Sequence, residues 1–175
     1  MADCVAKGLV GGAGHEKALR DRLFNYAVNL LARAARTERE LRRRLMRPVW
    51  STPALVDDVV AALKRYGYVD DEDFARRYAE RRAASGKSGA RRLRLELRAK
   101  GVEDRDAIEE AVREAFERAP EADAVDALIA RRTRGRPVTD PDEMRRLRDF
   151  LLRRGFDPDT VYERLRAIGK DIDDE

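Results

Sequence analysis

The sequence has few of the residues on which covalent or metal-based chemistry depends. One cysteine, Cys4, excludes an internal disulfide and a thiolate zinc cluster. One histidine, His15, supports neither a histidine-based metal site nor a histidine general base. No apolar run approaches the roughly 20 residues that cross a bilayer. The sequence therefore predicts no catalytic residue, no cofactor, no metal site and no membrane span.

The first residues are unlike the rest of the chain. Residues 1–18 are rich in glycine and show no hydrophobic period, which predicts a flexible N-terminal tail. They also lack a lysine-led apolar signal region, which favours a cytoplasmic protein. From Arg20 to about Ile168 the hydrophobic pattern is helical.

Charge is abundant but nearly balanced. Charged residues make up 41% of the chain, yet the net charge is only +4. A typical globular domain has about 25% charged residues. Such a composition fits helices that have one apolar stripe and ion-paired outer faces. Of the 38 basic residues only six are lysine, so arginine supplies most of the positive charge.

Several short motifs predict where helices begin and end. Thr37 with Glu40 is a capping box, and Thr52-Pro53 and Asp140-Pro141 each combine a capping side chain with a first-turn proline. Gly67 and Gly101 are typical helix stops. The alternating leucines of residues 93–97 could indicate a strand. Because residues 90–100 contain no β-branched side chain and form a helical apolar stripe, we predict a helix there.

The helical pattern repeats three times. Leu41 and Leu45 recur as Leu93 and Leu97, and again as Leu147 and Leu151. This predicts an all-α protein of three tandem three-helix repeats in an elongated, curved array. The predicted segments are a flexible tail (1–18), repeat 1 (19–69), repeat 2 (70–119), repeat 3 (120–169) and an acidic C-terminal tail (170–175).

The middle repeat resembles a known family. The run from Tyr66 to Arg76 (YGYVDDEDFAR), then Gly86-Lys-Ser-Gly89, then Leu93 to Val102 is similar to the signature of the RecX family, bacterial regulators of the recombinase RecA. The resemblance extends from about Leu23 to Ile168 and is weakest in the third repeat. Val69 and Val102 stand where such sequences often have Leu or Ile.

The resemblance implies a function that the hydrophobic pattern does not supply. It implies a cytoplasmic regulatory protein, not an enzyme, that binds in the groove of the RecA–DNA filament. It further implies that the protein modulates, and mostly inhibits, RecA ATPase, strand exchange and coprotease activity. We expect a monomer. Two alternatives stay open at this point: a helical module that binds DNA directly, and a helical adaptor for an unrelated protein.

The basic second helices of the repeats are the candidate partner-binding sites. Their cations could contact acidic filament surface, or phosphates of single- or double-stranded DNA. The alternative is a solvated face that is ion-paired to neighbouring acidic helices. The candidates are Arg42, Arg43, Arg44, Arg47, Lys87, Arg91, Arg92, Arg94, Arg98, Lys100, Arg145 and Arg148.

Other motifs have simpler explanations. Residues 85–88 (SGKS) are similar to the end of a phosphate-binding loop, but position 81 is Arg and no strand precedes it. The acids of residues 70–73 are explained by helix capping. We expect Phe74 and Tyr78 to pack in the core, Tyr66 and Tyr68 to pack between repeats, and Trp50 to be exposed.

Overall fold

The structure, a computed structural model, describes the backbone of residues 9–170 and the side chains of residues 14–168. Within that range the chain forms nine α-helices and no strand, so the predicted all-α class and the helix over residues 90–100 are confirmed. The helices are α1 (Leu9–Arg33), α2 (Glu38–Leu45), α3 (Pro53–Arg65), α4 (Asp71–Ala84), α5 (Ala90–Lys100), α6 (Arg105–Arg118), α7 (Glu121–Thr133), α8 (Pro141–Arg153) and α9 (Pro158–Lys170).

The structure differs from the sequence prediction near the N-terminus. Helix α1 begins at Leu9, so residues 9–18, which were predicted as part of a flexible tail, are helical. Each glycine costs a helix about 1 kcal/mol relative to alanine. The apolar stripe that follows, with Leu23 and Ala27 completely buried, anchors the same helix and outweighs that cost. Residues 1–8 and 171–175 of the two predicted tails lie outside the described residues.

The predicted helix caps are present. Thr37 Oγ1 accepts from the Glu40 amide at 3.2 Å, and Thr52 Oγ1 accepts from the Leu55 amide at 3.3 Å. Asp70 Oδ1 accepts from two amides of α4, each at 3.0 Å. Gly101 ends α5 with φ 98°, a left-handed conformation that suits glycine. The caps leave few free backbone groups at these helix ends, which explains why short helices are stable here.

The chain divides into two compact units, Met1–Phe74 and Ala75–Glu175. The first unit packs α1, α2 and α3 around one core. Its completely buried side chains are Leu23, Ala27, Leu41, Leu45, Val59 and Leu63. Helix α4 begins at the end of this unit, where the Glu38 amide donates to Asp71 Oδ1 at 2.8 Å.

The second unit contains most of α4 together with α5 to α9. Helix α5 packs against α6, and α9 packs against both α7 and α8. Phe156 and Leu151 are completely buried in the core of the last three helices. The second and third three-helix repeats thus share one compact unit, and the exact repeat boundaries stay a prediction.

The leucine pairs that defined the repeat are buried in all three copies. Leu41, Leu45, Leu97 and Leu151 are 0% exposed, Leu93 is 1% exposed and Leu147 is 2% exposed. Each pair lies on the inner face of the second helix of its repeat. The outer faces of α2, α5 and α8 therefore carry the arginines that the sequence predicted as partner-binding residues.

Candidate partner-binding surface

Helix α5 is short, basic and held firmly by its inner face. Its inner side chains Leu93 and Leu97 are buried, and the helix packs on α6. Because the inner face is fixed, side chains on the opposite face extend into solvent. Arg91, Leu95 and Arg98 are all exposed there, with 61% of the Leu95 surface accessible.

Five of the predicted cations are exposed and have no ionic partner in the part of the chain that the structure describes. No carboxylate oxygen of that part lies within 4.0 Å of their side-chain nitrogens. Two belong to the first unit and three to the second. They are Arg43, Arg47, Lys87, Arg91 and Arg98. Their positive charge is available to a partner.

Four other predicted cations of α2 and α5 are ion-paired. Arg42 Nε lies 2.7 Å from Glu38 Oε1, and its Nη1 also pairs with Asp57 on α3. Both carboxylates raise the pKa of Arg42, the Glu38 hydrogen bond most. Arg44 lies 3.5 Å from Glu40. On α5, Arg92 pairs with Glu96 at 3.4 Å, and Arg94 pairs with Glu109 of the neighbouring α6 at 2.8 Å.

The remaining three predicted cations are also engaged. Lys100 Nζ lies 5.3 Å from the centre of the Tyr78 ring, within the range of a cation–π contact. Arg145 pairs with Asp142, one turn earlier on α8. Arg148 donates to Asp149 from Nε at 3.0 Å and from Nη2 at 2.9 Å. The acidic neighbours cancel much of the charge of these two α8 arginines.

Other exposed residues belong with the free cations but were not among the predicted site residues. Arg39 on α2 and Arg146 and Arg153 on α8 are exposed and lack a carboxylate partner among the described residues. Leu95 and Met46 are exposed apolar side chains beside free arginines, 61% and 45% accessible. The repeat offset could have found Leu95 and Met46, because they correspond to the predicted cations Arg43 and Arg98 at a spacing of 52.

A polar network attaches α5 to α4. Arg82 donates to both oxygens of Glu96, at 2.8 and 2.9 Å, and Tyr78 Oη donates to Glu96 Oε2 at 3.0 Å. Burial alone would raise the pKa of Glu96, but the hydrogen bonds from Arg82 and Tyr78 outweigh it and leave that pKa lowered. Burial, with the Glu96 contact, raises the pKa of Tyr78. The network fixes the orientation of α5 and so of its exposed cations.

The segment that resembles a phosphate-binding loop is a structural joint. The Gly89 amide donates to Arg154 O at 3.1 Å, and the Ala90 amide donates to Glu121. Ser88 is buried and its Oγ accepts from Arg82 at 3.1 Å. Two amides directly after this segment and the hydroxyl oxygen of Ser88 therefore bond to the protein itself.

Glycine at position 89 lets two backbones touch. A Cβ at that position would lie 2.3 Å from Phe156 Cα and 2.5 Å from Gly155 O. Gly155, at φ +77°, faces α5 in turn, since a Cβ on it would lie 2.5 Å from the Arg92 Cβ. The Gly-Lys-Ser-Gly motif thus docks the start of α5 on the turn between α8 and α9.

Three tyrosines differ from their predicted places, whereas nothing contradicts the predicted packing of Phe74. Phe74 and Tyr78 are half-buried, and Tyr78 lies between Lys100 and Arg81 rather than in an apolar core. Tyr66 and Tyr68, predicted to pack between repeats, are 69% and 55% exposed. The Tyr66 ring contacts the Phe24 ring edge to face, and the Tyr68 ring contacts the Tyr66 ring in the same way.

Trp50 was predicted to be exposed and is instead half-buried. It packs against the first core, and the guanidinium of Arg22 lies 4.6 Å from the ring centre. This contact covers the ring, which explains why a tryptophan in a connection is not free for a partner.

A cavity of about 660 Å³ lies between α7, α9 and the loop that follows α7. Its apolar wall includes Ile129, Val138 and Ile168. Its charged groups are Asp126 and Arg164, paired through Nε at 2.9 and 3.0 Å, together with Arg136. Within the described residues no three His, Cys, Asp or Glu side chains are grouped to hold a metal ion.

The chain matches two family descriptions within its second unit and the residues just before it. "RecX, second three-helix domain" matches residues 70–112, and "RecX, third three-helix domain" matches residues 119–165. Curated relatives named "Regulatory protein RecX" are similar over most of their length. The protein of Mycolicibacterium smegmatis is 35% identical over 147 residues, covering 79% of this chain and 75% of the relative. That of Thermobifida fusca is 34% identical over 187 residues, covering 99% and 96%.

Solved structures agree on the fold. The crystal structure of RecX from Lactobacillus salivarius gives a TM-score of 0.73 at 19% identity, covering 86% of this chain and 96% of that one. A second structure, of "regulatory protein RecX", gives 0.75 at 20% identity, covering 89% and 75%. Among the helices of residues 9–170, none is long and apolar enough to cross a membrane.

The class of protein is therefore a regulator built from tandem three-helix units. The chain belongs to the RecX family of regulatory proteins, and the resemblance noted in its sequence is confirmed.

Proposed function

We propose that this protein binds the filament that the recombinase RecA forms on DNA and lowers RecA ATP hydrolysis, strand exchange and coprotease activity. Membership of a family of regulatory proteins supports a role exerted on a partner. The observation that carries the proposal is a set of exposed cations on and beside α2 and α5 that have no ionic partner within the described side chains: Arg43, Arg47, Lys87, Arg91 and Arg98.

These cations can bind a negatively charged partner without first breaking an ion pair among the described residues. An arginine that is ion-paired within its own chain must give up that partner before it binds another charge. An unpaired, exposed arginine has no such cost and can form bidentate hydrogen bonds with carboxylates or phosphates. A nucleoprotein filament presents both groups. The seven ion-paired or ring-contacting candidates would contribute less, through shape and general positive potential.

The proposal also covers where the protein acts, its oligomeric state and its own enzymatic activity. The protein acts in the cytoplasm, where RecA acts on DNA. It acts as a monomer, through the predicted repeats 19–69, 70–119 and 120–169, and it hydrolyses no ATP itself.

The experiment is a titration of RecA ATPase. RecA from the same organism is assembled on single-stranded DNA, and the rate of ATP hydrolysis is followed as this protein is added. We expect the rate to fall at a substoichiometric ratio, while the protein alone hydrolyses no ATP. An unchanged rate over the full titration would contradict the proposed function.

A further inference from the structure

The exposed face of α5 combines charge with an apolar centre. Arg91, Leu95 and Arg98 are spaced by four and three residues. At about 100° per residue these three positions fall within an arc of about 60° on one side of the helix. The two arginines are exposed and Leu95 is 61% exposed. We name this set the α5 triad.

We infer that the α5 triad docks on an acidic protein surface that has an apolar depression, and not on nucleic acid. The inference rests on the proposed function and deepens it, because it assigns the contact to the protein component of the filament. The charge of the triad is uncompensated. Neither arginine has a carboxylate within 4.0 Å in the described part of the chain, whereas their neighbours Arg92 and Arg94 are paired with Glu96 and Glu109.

The leucine at the centre decides between the two kinds of partner. Phosphate contacts use cations and hydrogen-bond donors, and base stacking uses flat aromatic or guanidinium planes. A leucine supplies neither. An apolar centre within a charged rim is instead the usual arrangement of a protein–protein interface. Burial of one leucine side chain contributes about one to two orders of magnitude in affinity.

The first unit carries a similar set on the second helix of its own repeat. At the offset of 52 residues, the α5 triad corresponds to Arg39, Arg43 and Met46. Both arginines are exposed and unpaired among the described residues, and Met46 is 45% exposed. Arginines without a carboxylate partner in the described residues therefore lie beside an exposed apolar side chain in each compact unit, but Met46 aligns with Arg98 and not with Leu95.

The test compares binding to two probes, RecA filaments on single-stranded DNA and the same DNA without RecA. The variants are Leu95→Ala, the conservative Leu95→Met, and the double variant Arg91→Gln/Arg98→Gln. We expect Leu95→Ala to weaken filament binding about tenfold and to change binding to naked DNA less than about twofold. Leu95→Met keeps an apolar side chain of similar volume and should bind filaments within about threefold of the unaltered protein.

Each outcome has a defined meaning. If the unaltered protein does not bind filaments, the proposed function fails and the inference fails with it. If the unaltered protein binds but Leu95→Ala binds equally well, only the inference is overturned. Equal weakening on filaments and on naked DNA would mean that the face contacts nucleic acid, which also overturns it. Because Leu95 is exposed, the variants should keep the thermal midpoint and helix content of the unaltered protein, and these are measured alongside.

Discussion

Helices α5 and α8 occupy the same place in consecutive repeats but present different outer faces. The α5 triad of Arg91, Leu95 and Arg98 corresponds, at an offset of 54, to Arg145, Asp149 and Leu152. On α5 neither arginine has a carboxylate partner in the part of the chain that the structure describes, and the leucine is exposed. On α8, Arg145 is paired with Asp142. Asp149 stands at the position of Leu95, and Leu152, at the position of Arg98, is half-buried.

The comparison teaches that the number of arginines does not measure the charge that a helix offers. Helices α5 and α8 have four arginines each, and two of the four are ion-paired in each helix among the described residues. Helix α8, however, contains three acids and α5 contains one. A surface ion pair contributes little to stability, about 0–1 kcal/mol. It does lower the local positive potential that a partner would meet. Acids on α8, at and near the positions that match the α5 triad, therefore separate α5 as a binding face from α8 as a largely neutralised one.

The largest expected effect comes from breaking the joint that holds α5 against the α8–α9 turn. In Gly89→Ala the new Cβ would lie 2.3 Å from Phe156 Cα, a backbone atom that cannot move aside without shifting its turn. We expect a loss of about 3 kcal/mol or more in the free energy of unfolding, measured by chemical denaturation.

Gly14→Ala is the matched control for this substitution. Gly14 lies within α1 with nothing within 4 Å of an added Cβ, so alanine there should be neutral or stabilising by up to about 1 kcal/mol. A Gly89→Ala protein as stable as the unaltered one would show that α5 does not depend on this close approach.

A smaller effect is expected from the network of Tyr78, Arg82 and Glu96 that orients α5. Glu96→Gln leaves Arg82 without its bidentate partner and should cost about 1–3 kcal/mol at neutral pH. Arg113→Gln is the control, since its ion pairs with Glu110 and Glu117 are exposed. That change should alter the free energy of unfolding by less than about 0.5 kcal/mol.

The same residue predicts a pH dependence. The pKa of Glu96 is lowered in the folded protein from an ordinary value of 4.5. Its ionised form therefore stabilises the fold above pH 4.5, and this contribution is lost as the pH falls through the lower, folded pKa. Between about pH 6 and about pH 3 the unaltered protein should lose more stability than Glu96→Gln. If denaturation curves show that both proteins lose equal stability over this pH range, the Glu96 network does not stabilise the fold.

The smallest effect should come from freeing the arginines of α8. Asp142→Asn/Asp149→Asn removes the acids that pair with Arg145 and Arg148, so binding to RecA filaments at low salt should increase about two- to fivefold. The control is Asp159→Asn/Glu163→Gln, which removes two exposed acids that have no ion pair among the described residues. An equal increase in both double variants would mean that net charge, and not pairing, sets affinity.

The fold was largely predictable from the sequence because its signals are local and repeated. Thr37, Thr52 and Asp70 cap helices as their spacing predicted, and the leucine pairs that set the repeat are all buried. The start of α1 was missed because Gly11, Gly12 and Gly14 disfavour helix locally, whereas the helix is anchored by packing further along the chain.

The candidate site was predictable as a set of helices but not residue by residue. Sequence shows that Arg91 and Arg94 both lie on a basic helix. It does not show that Glu109 of another helix pairs with Arg94, or that Arg91 has no carboxylate partner among the residues described, because both depend on tertiary packing. Likewise Leu95 looked like part of an apolar alternation, and only the packing of Leu93 and Leu97 shows that Leu95 faces outward.

The most direct measurement is the affinity for RecA–DNA filaments of two double variants with equal changes in net charge, Arg91→Gln/Arg98→Gln on α5 and Arg145→Gln/Arg148→Gln on α8. It can be made by co-sedimentation at one salt concentration, with thermal unfolding to confirm that both variants are folded. The account predicts at least about tenfold weaker binding for the α5 variant and a change of less than about twofold for the α8 variant. Equal weakening of the two would contradict it.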